Sequence, residues 1–537
     1  MKKEKTIKQL LSLGIAAGVI VMSSGCVKVG PDFMGVGKAN IPKKWESKRA
    51  YSNSEIAQWW KIFHDPVLNN LVQKTYAQNL DIKSAGLRIV QARAALGISE
   101  GFAFPQVQTL SGDAVSSRTG MGSSSHDVAG AGINFDMGWE MDIWGKYARG
   151  IEASQADLYA SVASYDSIIV SVIAEVARNY IYYRTAEERI AYARRNIAIQ
   201  ARVVELTEIQ FNTGNVSELD VQQSRTQLYG TRSTLPQFEL SKVKAQNAIA
   251  VLLGVNPQQL EGILKSKKSY TDTIDQYLVD SKGAIQIRED DTHLDIALIP
   301  VANFNPHNKI DAELLARRPD LKVAEYTAQS KNALIGAAKA ELYPHFSLFG
   351  NIGINSNTAS GSWVSAGDAV GISVGPSFSW NIFQYGRIKN RVRLQDAAFE
   401  ESLVNYNKKV LIAVSEVSNA LNGYRLTQKQ QKENKLAVDA AARAFNISAV
   451  QYNEGLTGYE RLLSTVEKLT IQQDKHAQIK GELAANVIAL YKALGGGWQM
   501  SRGKAYVSAQ TAEKMKARID WGRYLDPAKT RLPKGID

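Results

Sequence analysis

Two parts of the chain alternate apolar residues with small or polar ones, which is the period of a β-strand. In residues 131–142 every odd position is apolar and every even position is small, polar or acidic. Residues 370–382 and 345–355 alternate in the same way. Glycine- and serine-rich segments at 120–125 and 357–367 separate each strand from its partner. The pattern predicts two hairpins, with strands at about 105–119, 128–142, 344–357 and 369–383, the first of them by its symmetry with the last.

Strands of this kind pack their apolar face on a protein core or turn it toward membrane lipid. Trp139 and Trp380 lie near strand ends, where aromatic residues line a membrane surface. No other segment predicts strands for a second sheet. Four strands cannot close a barrel, and open sheet edges are not viable in lipid. We therefore expect oligomerisation, because two copies would give eight strands and three would give twelve, which is wide enough for water.

The remaining sequence predicts helices, one of them very long. Residues 146–212 contain no proline and hardly a glycine, so they predict a helix of 67 residues, about 100 Å long. A capping box at 217–220 begins a second helix of about 37 residues that runs to Gly254. An earlier helix of about 36 residues begins at Asp65-Pro66. Since the two shorter helices laid end to end are about as long as the long one, we expect a long antiparallel helical hairpin.

The chain contains this unit twice. Residues 210–214 return as 451–455, an offset of 241, and upstream Gly97 matches Gly336 at an offset of 239. We expect the first helix of the second unit from about Asp311 to Leu342, and its helical hairpin between residues 387 and 495. The predicted division is 1–25 signal peptide, 26–64 lipid-anchored segment, 65–254 first repeat, 255–308 equatorial linker, 309–498 second repeat and 499–537 equatorial tail.

The first 25 residues predict an export signal. A lysine-rich start leads into the apolar run at 10–22, which is too short to cross a membrane but fits a signal peptide. Small residues precede Cys26, the single cysteine of the chain, as in the lipobox of bacterial lipoproteins. We expect a lipid on Cys26, although cleavage by an ordinary signal peptidase beside an incidental cysteine is the alternative. We expect no membrane-spanning helix after residue 22.

Composition and residue spacing argue against several classes of protein. The chain of 537 residues is 45% hydrophobic and 22% charged, which is typical of globular proteins. Its net charge of +12 is spread out, so we expect no nucleic-acid binding. The six histidines have no ligand-like spacing, and no nucleophile–base pattern is present. We therefore expect no enzyme activity, no metal site and no cofactor beyond the lipid; the charged segment 290–295 is the remaining candidate for a metal.

Several short motifs, taken in order, resemble one family. They are residues 29–33 after the cysteine, 59–66 before the first helix, 139–145 after the second strand and 315–321 at the start of the second repeat. Together with the lipobox and the duplicated helix–hairpin–helix–helix unit, they resemble TolC-type outer-membrane efflux channels. The resemblance is to the lipoprotein branch that serves RND pumps, the NodT or OprM-like group, and it spans nearly the whole mature chain.

The resemblance implies a mainly α fold with a membrane β-barrel portion. A homotrimer would form a twelve-stranded barrel in the outer membrane, above a periplasmic tunnel of twelve helices. The equatorial belt would come from about 255–310 and 499–537. A periplasmic adaptor protein would bind near the turns at Gly214 and Gly455, and an inner-membrane RND pump would supply the energy. A type I secretion channel and a lipid-anchored helical scaffold or adhesin are the alternatives.

The resemblance also points to a gate. Relatives carry a constriction ring at the fifth and ninth positions after the Tyr-x-x-Gly glycine, often a leucine and an aspartate. Here those positions are Glu460 and Ser464. Three Glu460 carboxylates around one axis would attract cations, while Arg461 offers each of them a neutralising partner. The alternative is that Glu460 is a solvated helix residue. In the first repeat we expect Asp220 to be a helix cap.

Overall fold

The computed structural model describes residues 28–37, 49–50, 53–119, 126–264, 298–304, 308–309, 317–358, 363, 365 and 369–525. The helices of the first repeat are α1 (Pro66–Gln78), α2 (Leu80–Gly101), α3 (Lys146–Asn212) and α4 (Glu218–Leu253). Those of the second are α5 (Pro319–Ala340), α6 (Arg387–Asn453) and α7 (Tyr459–Ala493), followed by α8 (Ala509–Lys516). The strands are β1 (Val107–Thr119), β2 (His126–Met141), β3 (His345–Asn357) and β4 (Val370–Ser379). Residues Arg49–Ala50 pair with Asn308–Lys309 as a short parallel ladder.

The two hairpins form one antiparallel sheet in the order β1-β2-β3-β4. The hairpin strands pair with their neighbours in sequence, and β2 pairs with β3 to join the two repeats. Within the described part of the chain, β1 and β4 are edge strands with one neighbour each. The sheet therefore has two open edges in the protomer, as four strands require.

The register places apolar residues in rows across one face of the sheet. Leu110 lies opposite Phe135, Phe135 opposite Ile352, and Ile352 opposite Ile372. These four side chains are between 41% and 73% exposed. Trp139 lies at the lower end of this face, and its ring N–H donates to the carbonyl of Ala103. No part of the chain that the structure describes therefore covers the apolar face.

The opposite face of the sheet is polar, and paired side chains join the two repeats across it. The side-chain amides of Asn134 and Asn355 bond to each other in both directions, at 3.1 and 2.8 Å. Asn351 donates to the Asp136 carboxylate at 2.7 Å. We call this side of the sheet the polar face. It has the composition that the sequence predicts for a surface lining water.

The prediction of one continuous helix at the start of the first repeat is wrong, because this segment forms two helices. Asn79 separates α1 from α2 and caps the second, its side chain accepting from the amide of Ile82 at 2.9 Å. The same side chain donates to the carbonyl of Leu252, at the end of α4. Because the helical periodicity continues through the break, no sequence pattern marks it. The bond to Leu252 brings the start of α2 next to the end of α4, a junction that the predicted helix lengths do not place at Asn79.

The counterpart in the second repeat also differs from expectation. Its helix α5 begins at Pro319 and ends at Ala340, whereas we expected it to begin near Asp311. Residues 311–316 lie outside the described part of the chain. Arg318 ties the start of α5 to the end of α7, since it donates to the carbonyl of Ala493 at 2.6 Å and pairs with Asp320 and Glu416.

Both long helices have the predicted length of 67 residues. Each one packs along the helix that follows it, α3 on α4 and α6 on α7, which gives the expected hairpins. Pro236 is tolerated inside α4. By length and composition alone α3 could cross a membrane, contrary to our expectation, but half of its most apolar window is buried inside the protein. The core helix of a folded protein can be equally long and apolar, so length and composition alone do not make α3 a membrane span.

The largest core lies half-way along the helices, where α1, α3, α6 and α7 meet. Trp59 is fully buried there and stacks on Tyr491, with ring centroids 5.7 Å apart. Further along α3 and α7, Glu188 and Lys480 form a buried ion pair at 2.8 Å. Glu188 also accepts from the amides of Leu298 and Ile299. This pair fixes a piece of the linker to the helices; residues 265–297 of the linker lie outside the described part.

Candidate functional site: the helical tips

The helical hairpins turn at two tips that have the same backbone. After α3, Gly214 has φ +77°, and after α6, Gly455 has φ +69°. In each turn the next residue donates back across the turn, Asn215 to Gln210 and Leu456 to Gln451. A Cβ at either glycine would meet nothing within 4 Å, so the glycines are required for the left-handed backbone and not for space. Both tips are exposed.

A partly buried hydrogen bond joins the two tips. The hydroxyl of Tyr452 donates to Oε1 of Gln210 at 2.6 Å. The ring of Tyr452 meets that of Tyr459 edge-on, with centroids 6.2 Å apart. Burial raises the pKa of both phenols, so both remain neutral donors at any physiological pH. The turns at Gly214 and Gly455 are therefore neighbours, although they come from different repeats.

Sequence reasoning did not find this contact. Tyr452 and Gln210 are 242 positions apart, and each belongs to the repeated segment that identified the duplication. Gln210 corresponds to Gln451, and Phe211 to Tyr452. The one available signal is that the second repeat carries a hydroxyl where the first carries a phenylalanine. Only the packing of α3 against α6 and α7 shows that this hydroxyl has a partner.

The three predicted gate residues lie in the first turns of α7. Glu460 and Arg461 are exposed, and Ser464 is half-buried. Glu460 lies two positions after the N-cap residue Gly458, in the first turn of α7, and the helix dipole favours a carboxylate at this position. Among the described residues of the protomer, neither Glu460 nor Arg461 forms an ion pair, so the expected pairing of the two is not observed. Asp220 acts as a cap, as predicted, since it forms a capping box with Ser217.

Residues shortly after Cys26 are bound to the base of the sheet. Val29 donates to the carbonyl of Trp144 at 3.1 Å. Arg149, of which 1% is exposed, donates to the carbonyls of Val29 and Gly30 and pairs with Asp32 at 2.8 Å. We call residues 28–37 the N-terminal strap. Cys26 itself lies outside the described part of the chain.

The described residues contain no group of three or more potential metal-ligating side chains. The charged segment at 290–295 falls outside them. The features that could serve a function are instead surfaces. They are the apolar and polar faces of the sheet and the two exposed turns, which the long helices separate from the sheet by about 100 Å.

Comparison with known proteins agrees with this architecture. The chain matches the outer membrane efflux protein family over residues 71–255 and 312–496, which is one match for each repeat. The chain belongs to the outer membrane efflux protein family. The family and the fold are those of channel proteins of the outer membrane, as the sequence motifs indicated.

Individual relatives cover almost the entire chain. It is 24% identical over 489 residues to the "Probable outer membrane lipoprotein SilC" of Salmonella typhimurium, covering 90% of this chain and 98% of that protein. It is 27% identical to Nodulation protein T of Rhizobium leguminosarum bv. trifolii, covering 89% and 96%. The solved outer-membrane channel OprN superposes with a TM-score of 0.76 at 29% identity, covering 88% of this chain and 100% of OprN.

Proposed function

We propose that this family member is the outer-membrane channel of a tripartite RND efflux system, and that it works as a homotrimer. Three four-stranded sheets would close, β1 of one protomer against β4 of the next, into a twelve-stranded barrel. The observation that carries the proposal is the sheet itself, because it combines an uncovered apolar face, a polar face and two open edges. In such a barrel the apolar face contacts lipid, the polar face contacts water, and the open edges pair with neighbouring protomers.

The N-terminal strap supports a lipid on Cys26. Val29 is bonded to Trp144, and the Trp144 ring donates to the carbonyl of Pro344, which directly precedes β3. The chain from residue 28 onward is therefore held beside the end of β2 and the start of β3. A lipid on Cys26, two residues before residue 28 in the sequence, would enter the membrane at that end of the proposed barrel. The naming of SilC as a lipoprotein agrees with this assignment.

The helices would form the tunnel and the tips its periplasmic end. The turns at Gly214 and Gly455 are exposed and lie side by side, which suits them to contact a periplasmic adaptor. Glu460, with Arg461 and Ser464 beside it, would line the constriction and favour cations through a ring of three carboxylates. The channel conducts passively, and the inner-membrane pump supplies the energy.

Conductance in planar bilayers tests both the channel and the gate. We expect small, cation-selective currents from the wild-type trimer and larger currents from Glu460→Ala, because the substitution removes three charges and three side chains from the constriction. Glu218→Ala is the matched control, since Glu218 occupies the first turn of α4 as Glu460 does that of α7. Its currents should equal those of the wild type.

The outcomes separate the parts of the proposal. Currents that are the same for Glu460→Ala and the wild type would keep the channel and reject the gate. Absence of any current from a folded, purified trimer would reject the channel and favour the helical scaffold.

A further inference from the structure

A basic pocket lies where the polar face of the sheet meets the helices. It is a cavity of about 310 Å³ lined by Lys146, Glu341, His345, Asn381, Arg387, Ile388 and Arg391. His345 is the first residue of β3 and lies on the polar face, because it contacts Glu140, which has the same parity along β2 as Asp136 and Asn134. In a closed barrel this cavity therefore opens toward the lumen.

The ion pairs around the pocket do not neutralise all of its positive charge. Lys146 pairs with Glu140 at 3.3 Å, and Arg391 pairs with Glu341 at 2.7 Å. Arg387 has only an amide partner among the described residues, the side chain of Gln384. His345 also directs Nδ1 at Glu140, at 2.9 Å, and the Tyr147 hydroxyl donates to the same carboxylate, so Glu140 is shared among three partners. Three cations face two carboxylates, and the unmatched one is Arg387.

The position of Arg387 favours an anion beside it. It is the first residue of α6, where the helix dipole is positive and disfavours a cation. Its side chain is exposed toward the cavity and not engaged in the core. A guanidinium fork suits carboxylate and phosphate oxygens, and the helix N-terminus adds to their attraction.

We propose that this basic pocket binds small anions in the lumen, through phosphate or carboxylate groups held by Arg387 with Arg391 and Lys146 beside it. The inference rests on the proposed function, because only a closed barrel places the pocket on the path of a solute. It adds a recognition site for anionic solutes at the barrel end of the tunnel, far from the acidic residue at the tips.

Inorganic phosphate is the probe for this site. Ionic currents through the wild-type trimer in planar bilayers should be blocked by added phosphate in a saturable way. Arg387→Gln should weaken the block at least about ten-fold, since a hydrogen-bonded charge is lost, and Arg387→Lys should weaken it less, because the charge stays but the fork does not. Arg387 makes no ion pair among the described residues, so both variants should fold and insert.

Arg393→Gln is the matched control. Arg393 is six positions further along α6, about 240° around the helix from Arg387, and bonds only to Asn390 among the described residues. Its removal should leave the phosphate block unchanged. Equal loss of block in Arg393→Gln and Arg387→Gln would overturn the site in favour of general surface charge. Wild-type currents that phosphate does not block would also overturn it while leaving the channel intact. No current at all would overturn the channel, and the site with it.

Discussion

At the scale of single residues, Asp166 is the carboxylate whose burial has the clearest consequence. It lies on α3 in the central core, where its Oδ1 accepts from the hydroxyl of Ser501 at 3.1 Å. Burial raises the pKa of the Asp166 carboxyl to about 7, although the Ser501 hydroxyl and the charge of Arg502 lower it. Close to neutral pH, the core beneath the C-terminal segment therefore changes its charge.

Asp166→Asn should change how stability depends on pH. The folded protein keeps a proton that the unfolded chain releases above about pH 4, so this group lowers stability progressively from about pH 4 to pH 7, and fully above that. Asparagine is never charged and can still accept from Ser501. We expect the variant to match the wild type near pH 4 and to be more stable at pH 8, by up to about 4 kcal/mol.

Thermal unfolding of the purified protein between pH 4 and pH 8 measures this difference. A gap between variant and wild type that is the same at every pH would mean that the Asp166 carboxyl has the same pKa in the folded and unfolded protein, and the prediction would be wrong.

At the scale of elements, equivalent glycines in the two repeats allow two terminal segments to dock. A Cβ at Gly336 on α5 would lie 2.6 Å from the carbonyl oxygen of Val29, in the N-terminal strap. A Cβ at Gly97, its equivalent on α2, would lie 2.2 Å from the hydroxyl of Tyr524 in the C-terminal segment. The duplicated unit thus uses one glycine position to receive the strap on one helix and the tail on the other.

Gly336→Ala should destabilise the protein even though alanine is the better helix former. The added methyl group would press on the Val29 carbonyl and on the Arg149 side chain 2.8 Å away, which forces the strap off α5. We expect a loss of about 1–3 kcal/mol, as for other overpacked cores. The measurement is the free energy of unfolding, together with proteolysis of the strap.

Gly150→Ala is the control for this prediction. Gly150 lies within α3, and a Cβ there would meet nothing within 4 Å, so the substitution should stabilise the helix by about 0.5–1 kcal/mol. If both alanines stabilised the protein, the contact between strap and helix would not restrict this position.

At the scale of the whole molecule, the uncovered face of the sheet decides between a channel and a scaffold. Ile372 lies on the apolar face opposite Ile352, and Ser373 lies on the polar face opposite Asn351. In an aqueous scaffold both faces meet water, and a charge would be tolerated on either one. In a membrane barrel only the polar face meets water.

Ile372→Lys should therefore impair insertion, whereas Ser373→Lys should not. A lysine facing lipid costs up to about 2–4 kcal/mol, depending on its depth, while a lysine facing the lumen remains hydrated. Three copies in a trimer would multiply the cost. The measurement is the amount of trimer in the outer-membrane fraction. Equal insertion of the two variants would contradict the assignment of the faces.

The local elements of this fold were largely predictable, and the exceptions have a physical reason. The strands β1 and β3 and the helix α3 lie within two residues of their predicted ends, because period and turn residues determine them locally. The break at Asn79 was missed because it depends on the end of α4, which lies 173 positions away. The same holds for the bond between Tyr452 and Gln210.

The sequence by itself determined the duplication, the four alternating strands, the long helices and the two glycine turns, since each is a matter of period or of backbone conformation within a few residues. Only the tertiary structure decided that the tips meet, that Arg149 binds the N-terminal strap, and that Arg387 opens onto a cavity beside Lys146 and His345. These contacts join residues from distant parts of the chain. Which of them come together depends on how the two copies pack, and no local pattern carries that information.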